Sequence, residues 1–237
     1  PSSCYCVSTA QVISNEAKTV ELTTEVFIKN AQVKAYLYDT NNDGKTDITE
    51  ESTSTKHTKT FEKLAPGEHK INVKVQFVEK STSKKKEATC SASFTINEDP
   101  RVTASKTVKN ITTGTENANG TTVKPGDELE FKLLTENSTT ADYKNYSGED
   151  YIGDVLDYAQ ITNMEDLKKS GVTLDKNNYL RWQTTVKAKT TDTKIVKVKV
   201  KQDLPITNQP NGANTDYDCK ITNRYGNELT MNVGCPL

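Results

Sequence analysis

Apolar residues recur at every second position over much of the chain. Val20, Leu22, Thr24, Val26 and Ile28 share one face of a segment running from Thr19 to Asn30, and Ile71, Val73, Val75 and Phe77 repeat the pattern. A period of two sends successive side chains to opposite faces of a strand, so these segments predict half-buried β-strands. Further strands are expected at Cys4–Ile13, through Val33, Ala35 and Leu37, along a threonine-rich stretch ending near Phe61, and at Ala88–Ile96 after a polar tip at Ser81–Lys86. Val33, Ala35 and Leu37 alternate with Lys34, Tyr36 and Tyr38, which places the two tyrosines on the outward face. About seven strands separated by turn signals is the pattern of a β-sandwich.

Asn97-Glu-Asp-Pro100 interrupts the alternation and marks a boundary, giving domains at 1–98 and 101–237. The second half opens with Val102–Ile111. Lys124-Pro-Gly-Asp127 then turns into Leu129, Phe131 and Leu133, and strands follow at Tyr179–Trp182, Lys194–Lys201 and a final hairpin. Two short helices are expected between them. Ser147 with Asp150 reads as a capping box before Ile152, Val155, Leu156 and Ala159, and Asn163 with Asp166 can start a second helix that Gly171 ends. The fold class expected is all-β: two β-sandwiches in tandem, the second with one or two short helices inserted.

Composition supports strands over disorder. Only 33% of the 237 residues are hydrophobic, but threonine and asparagine make up the difference and suit the solvated faces of antiparallel sheets. Net charge is −1, with 31 basic and 32 acidic residues interspersed, which excludes the clustered positive field of a nucleic-acid surface. Lys84, Lys85 and Lys86 read as a solvated hairpin tip. No apolar run reaches the length of a membrane span. The abrupt start at Pro1 leads to the expectation that any targeting or anchoring segment lies outside these residues.

One stretch carries specific spacing. From Asp39 to Glu50, oxygen side chains fall at loop positions 1, 3, 5, 9 and 12 (Asp39, Asn41, Asp43, Asp47, Glu50), with Gly44 at position 6 and the carbonyl of Lys45 at position 7. That is the EF-hand pattern of calcium ligands, short of an apolar residue at position 8, which is Thr46. The flanks are strands rather than helices, so Ca2+ is expected as a structural brace, held at the affinity of extracellular modules, and not as a switch.

The five cysteines avoid zinc and redox spacing. A hairpin centred near Asn227 sets Cys219 opposite Cys235 at a separation suited to a disulfide. Cys90 lies within reach of Cys4 or Cys6. Cys4 is the preferred partner, with Cys6 a small buried hydrophobe. Disulfides favour an oxidising compartment, hence export.

The strand, the Asp/Gly-rich loop, Leu64-Ala-Pro-Gly-Glu-His69 and Lys70-Ile-Asn-Val-Lys-Val75 are similar to polycystic-kidney-disease-type immunoglobulin-like modules over residues 1–98. The second half resembles the conserved repeat domain of long bacterial surface proteins. That resemblance rests on Lys124-Pro-Gly-Asp127, Phe131, Asn137, Asp154-Val-Leu-Asp-Tyr158, Leu180-Arg-Trp182, Val196–Val200 and Tyr217-Asp-Cys219 with Thr222-Asn223. The helical insert and second cysteine depart from it. The resemblances imply immunoglobulin-like sandwiches, strung as extracellular, cell-surface stalks that contact a host or neighbouring cell surface, or adjacent domains of the same protein.

No enzymatic constellation is legible. The only histidines, His57 and His69, are expected on the surface, and no nucleophile elbow or phosphate loop is present. Surface sandwiches of this kind sometimes join a lysine to an asparagine with help from a buried acid, and Lys106 or Lys109 with Asn223 fits that layout. Sequons at Asn110, Asn119, Asn137 and Asn145 are expected by chance in so Asn- and Thr-rich a chain. The function expected is a non-catalytic adhesive stalk stiffened by calcium and disulfides. The alternative is a calcium-dependent carbohydrate or ligand-binding module, with Tyr36 and Tyr38 as its aromatic face.

Overall fold

The computed structural model describes residues 1–205 and 218–235; Tyr217, part of the motif above, lies outside them. The chain divides into two compact units, Pro1–Asp99 and Pro100–Leu237.

Unit 1 contains β1 (Ser3–Ser14), β2 (Thr19–Lys29), β3 (Ala31–Asp39), β4 (Ile48–Glu51), β5 (Lys56–Phe61), β6 (Gly67–Glu79) and β7 (Lys85–Ile96). They form two antiparallel sheets, ordered β1-β2-β5 and β4-β3-β6-β7. The alternating residues of β2 and β6 meet in one core with Phe61 and Ala92. Strand β3 departs from simple alternation. Its ladder with β6 slips between Val33 and Ala35, a β-bulge that inserts one residue and reverses the facing of everything after it. Tyr36 and Tyr38 are therefore interior, each 0% exposed, and not on the outward face. Burying two such rings removes several hundred Å² from water, worth several kcal/mol.

Unit 2 contains β8 (Thr103–Asn110), β9 (Thr122–Val123), β10 (Glu128–Asn137), β11 (Tyr143–Tyr151), α1 (Gly153–Tyr158), β12 (Ala159–Ile161), α2 (Met164–Lys169), β13 (Thr173–Leu174), β14 (Tyr179–Val186), β15 (Thr190–Val200), β16 (Lys220–Tyr225) and β17 (Asn227–Val233). Its sheets run β12-β15-β10-β8, β11-β14-β13 and β16-β17-β9. Leu129, Phe131, Leu133, Leu180, Trp182, Val196, Val198 and Ile221 join in one core. The Trp182 ring lies against Gly148, where any Cβ would overlap it.

Both helices exist, but neither is capped by a side chain. Ser147 and Asp150 belong to β11, paired with Gln183 and Leu180. Asp150 cannot cap because its side chain is drawn inward by partners described below. Asn163 flanks α2, yet its Oδ1 accepts from the Lys197 N–H (2.9 Å) and its Nδ2 donates to the Ile195 carbonyl (2.9 Å), tying the helix to β15. Gly171, at φ +81°, follows the helix where the turn requires the left-handed region.

The disulfides are Cys6–Cys90, Cα atoms 5.7 Å apart, and Cys219–Cys235, 5.9 Å apart. The first corrects the expected Cys4–Cys90 pairing. Cys4 and Cys6 share a face of β1 about 6.8 Å apart, so register lets only one of them reach Cys90. Cys6, opposite Val26, has that position; Cys4, opposite Ile28, keeps a free thiol whose burial pushes its pKa up. In the hairpin, Tyr225 pairs with Asn227 around Gly226, which sets Val233 and not Cys235 opposite Cys219. The second bond still closes because the Cys235 N–H donates back to the Val233 carbonyl (2.8 Å), a γ-turn that folds the sulfur toward its partner.

Candidate functional site: a buried lysine, aspartate and asparagine

Along β8 the inward positions are Ala104, Lys106, Val108 and Asn110, so a lysine occupies a core site. Its backbone is pinned by Asn227, whose Oδ1 accepts from the Lys106 N–H (2.7 Å) and whose Nδ2 donates to the Lys106 carbonyl (3.0 Å). Lys106 Nζ lies 2.5 Å from Asp150 Oδ2, and the two side chains are 1% and 0% exposed. Across the core, β16 delivers Asn223, 2% exposed. Its Nδ2 donates to Asp150 Oδ1 (2.8 Å) and to the Tyr151 carbonyl (2.9 Å). The Phe131 ring centroid is 5.0 Å from Nζ and supplies an apolar wall.

Burial dominates the electrostatics. It drives the Lys106 pKa down and the Asp150 pKa up, while their mutual attraction opposes both shifts. Each is thereby drawn toward its neutral form, an amine and a carboxylic acid. A neutral amine can act as a nucleophile, and Asp150 touches both it and the amide nitrogen of Asn223, so one carboxyl group bridges the two nitrogens. Asn223 Oδ1 is buried with no hydrogen-bond partner among the described residues. A buried carbonyl without a donor is a costly ground state.

Of the two sequence candidates, Lys106 is in this site. Lys109 points the other way and pairs with Glu116 at 2.6 Å. The acid was not found by sequence reasoning because Ser147 and Asp150 matched a capping pattern. The alternation of Tyr146, Gly148 and Asp150 is the signal that places it on the inner face.

The calcium-spaced loop adopts a compact turn. Asp39 accepts from the N–H groups of Asp43 (3.2 Å) and Gly44 (2.8 Å), Asp43 accepts from the Lys45 N–H (2.8 Å), and Asp47 accepts from the Thr40 N–H (2.7 Å). Gly44 sits at φ +86°. Burial works against the Asp39 charge, but these N–H groups outweigh it and hold its carboxyl below the usual range. Asn41 lies in the same turn, its Oδ1 3.2 Å from the Asp43 nitrogen. Glu50 is placed apart, between His57 Nε2 (2.5 Å) and Lys59 Nζ (2.6 Å). The hydrogen bonds it shares with Lys59 and His57 hold its carboxyl below the usual range, although burial opposes them. Among the described residues no three carboxylate, imidazole or thiol side chains converge.

Neither histidine is a free surface group. His57 stacks on Tyr36 with centroids 4.6 Å apart, and His69 stacks on Phe94 at 5.3 Å. The sequon residues Asn110 and Asn137 are buried at 2% and 0% exposure, beyond the reach of a glycan in the folded chain.

No protein-family model and no curated protein sequence matches the chain, so the two motif resemblances stay resemblances. Among solved structures it is similar to the C-terminal domain of the Streptococcus agalactiae AgI/II polypeptide BspA, at 10% identity and TM-score 0.39, covering 95% of this chain and 98% of that one. It is also similar to the C-terminal domain of the Streptococcus pyogenes antigen I/II-family protein AspA, at 11% identity and TM-score 0.38, covering 95% and 97%.

Proposed function

We propose that the chain is a non-catalytic extracellular stalk of a bacterial surface protein, in which three covalent cross-links in series carry tension past both sandwiches. The observation that carries this reading is the position of the link ends. Cys6 and Cys90 lie near the two ends of unit 1. Lys106 is on the first strand of unit 2 and Asn223 on its penultimate strand, beside Cys219, whose partner is Cys235. Load applied along the chain passes from Cys6 to Cys90, through the short stretch to Lys106, across to Asn223 and Cys219, and out at Cys235. Most of the strands of both units fall outside that path.

The middle link is an amide formed once per molecule. Neutral Lys106 Nζ attacks Asn223 Cγ, its proton passes to Asp150, and Asp150 returns a proton to the departing amide nitrogen. One C–N bond forms, one breaks, and ammonia leaves, so no oxidant or cofactor enters the balance. Support comes from the amine, acid and amide meeting in one buried cluster.

Single-molecule extension between the chain ends tests the reading. With all links closed, the stretch from Cys90 to Lys106 is the longest extensible segment, about 55 Å when drawn out, against roughly 800 Å for the unlinked chain. A wild-type trace with a long unfolding step for unit 2 contradicts the proposal; Asn223→Ala is expected to produce such a step.

Calcium belongs to the same proposal as a brace on the Asp39–Asp47 turn. Asp39, Asn41, Asp43, Asp47 and the Lys45 carbonyl share one loop at the calcium spacing, but their side chains bond the turn's own N–H groups and would have to swing together around the ion, with Glu50 joining only by leaving Lys59 and His57. Adhesive contact with a host surface, a neighbouring cell or an adjacent domain completes the role. Tyr36 and Tyr38, being interior, offer nothing to the alternative carbohydrate reading of the loop.

A further inference from the structure

The outer face of unit 2 carries a second feature, unrelated to the cross-link. Strands β11 and β14 pair Tyr151 with Tyr179, Glu149 with Arg181 and Ser147 with Gln183. These alternate pairs all face outward and recur about 6.8 Å apart along the strands. They form a strip of one aromatic, one ionic and one hydroxyl–amide rung.

The strip is preorganised. Arg181 Nε donates to Asp175 Oδ2 at 3.0 Å, and Nη1 is bonded to Glu149. Its guanidinium lies over the Tyr179 ring, 4.8 Å from the centroid. Asp175 is itself fixed by the N–H groups of Asn177 (2.8 Å) and Tyr179 (3.0 Å). Those partners hold the guanidinium in place, while Nη2 makes no bond to a described residue. Tyr151 is 48% exposed and lies down on Gly153, where a Cβ would overlap its ring. The hydroxyl end of that ring is held at Gly153 and the Tyr179 ring packs against it, centroids 5.1 Å apart and tilted by 50°, so the aromatic rung is fixed while about half of Tyr151 stays exposed. Beside the ionic rung is an open cleft of about 390 Å³ between Arg181, Gln183, Ser147 and Thr173, with Gly148 and Gly171 in its lining.

We propose that this strip binds an uncharged oligosaccharide. A flat, fixed aromatic ring packs against the C–H face of a pyranose. A clamped guanidinium beside carboxylate, amide and hydroxyl groups offers donors and acceptors to sugar hydroxyls at little ordering cost. The cleft volume falls in the range of small-ligand sites. Charge selects the class: Glu149 and Asp175 outnumber Arg181, so the strip disfavours sulfated, uronic or sialylated chains.

Saturation-transfer NMR on the full chain tests this with chitohexaose, cellohexaose, maltohexaose and laminarihexaose as neutral probes, and sialyllactose and a heparin hexasaccharide as anionic ones. At least one neutral probe is expected to bind saturably, and Tyr151→Ala and Arg181→Ala are each expected to weaken it about tenfold with the melting temperature retained. Both side chains are on the surface, so neither change opens the core. Binding by no neutral probe, preference for an anionic probe, or affinity unchanged in either variant overturns the proposal. The stalk reading is untouched by any of these results, since it rests on the buried side chains of Lys106, Asp150 and Asn223 and not on the outward ones of the strip.

Discussion

At the scale of single residues, Asp150 has the most to lose. It is the ion-pair partner of Lys106, orients Asn223 and bridges the nitrogens of the proposed exchange. Asp150→Ala leaves a buried lysine with no carboxyl, a change that costs about 3–5 kcal/mol where a pair is broken this way. It is expected to stop amide formation and to lower the urea midpoint sharply. Asp154 gives a separate pH test. Burial, assisted by repulsion from Asp218 and Asp157, raises its pKa from 3.8 to about 6, although the Thr222 N–H opposes the shift. The folded state therefore holds this proton more tightly than the unfolded chain, so stability should fall as pH rises from about 4 to about 6. Asp154→Asn is expected to flatten that part of the urea-midpoint profile; an unchanged slope would assign the titration elsewhere.

Elements show where sequence reasoning held and where packing intervened. Strands β2, β6 and β10 follow their alternation because each has one solvated face and one core face throughout. Strand β3 does not, because a single inserted residue at Val33–Ala35 is invisible to periodicity and reverses the facing of Tyr36 and Tyr38. Lys106 and Asn223 were legible as a lysine and an asparagine on early and late strands. Asp150 was hidden because Ser-x-x-Asp satisfies a helix-start rule as well as it satisfies a strand. The cysteine register was fixed by the β1–β2 ladder, and pairing alone could not decide between two residues on the same face. Denatured wild-type chain is expected to present a single alkylatable thiol, mapped to Cys4, and Cys4→Ser none. Removing Cys219–Cys235 with paired serines opens a loop whose ends are 16 residues apart, and a loss of about 3 kcal/mol is expected from urea unfolding.

For the whole molecule, the proposal is that the links act where the load does. Two β-sandwiches that would otherwise unzip strand by strand would be bypassed by the disulfides Cys6–Cys90 and Cys219–Cys235 and by the proposed Lys106–Asn223 amide. Calcium would add local stiffness at one turn of unit 1. Melting in millimolar calcium against chelator is expected to raise only the unit 1 transition, and Asp43→Ala should remove the increment. Equal melting curves would leave the Asp39–Asp47 turn as a self-bonded loop.

The central claim is the amide between Lys106 and Asn223. Intact mass of the denatured, fully reduced chain tests it directly. The expected value is lower than the sequence mass by one ammonia, about 17 Da, with a branched peptide joining Lys106 to Asn223 and full mass restored in Asn223→Ala. A wild-type chain at its full sequence mass contradicts the account.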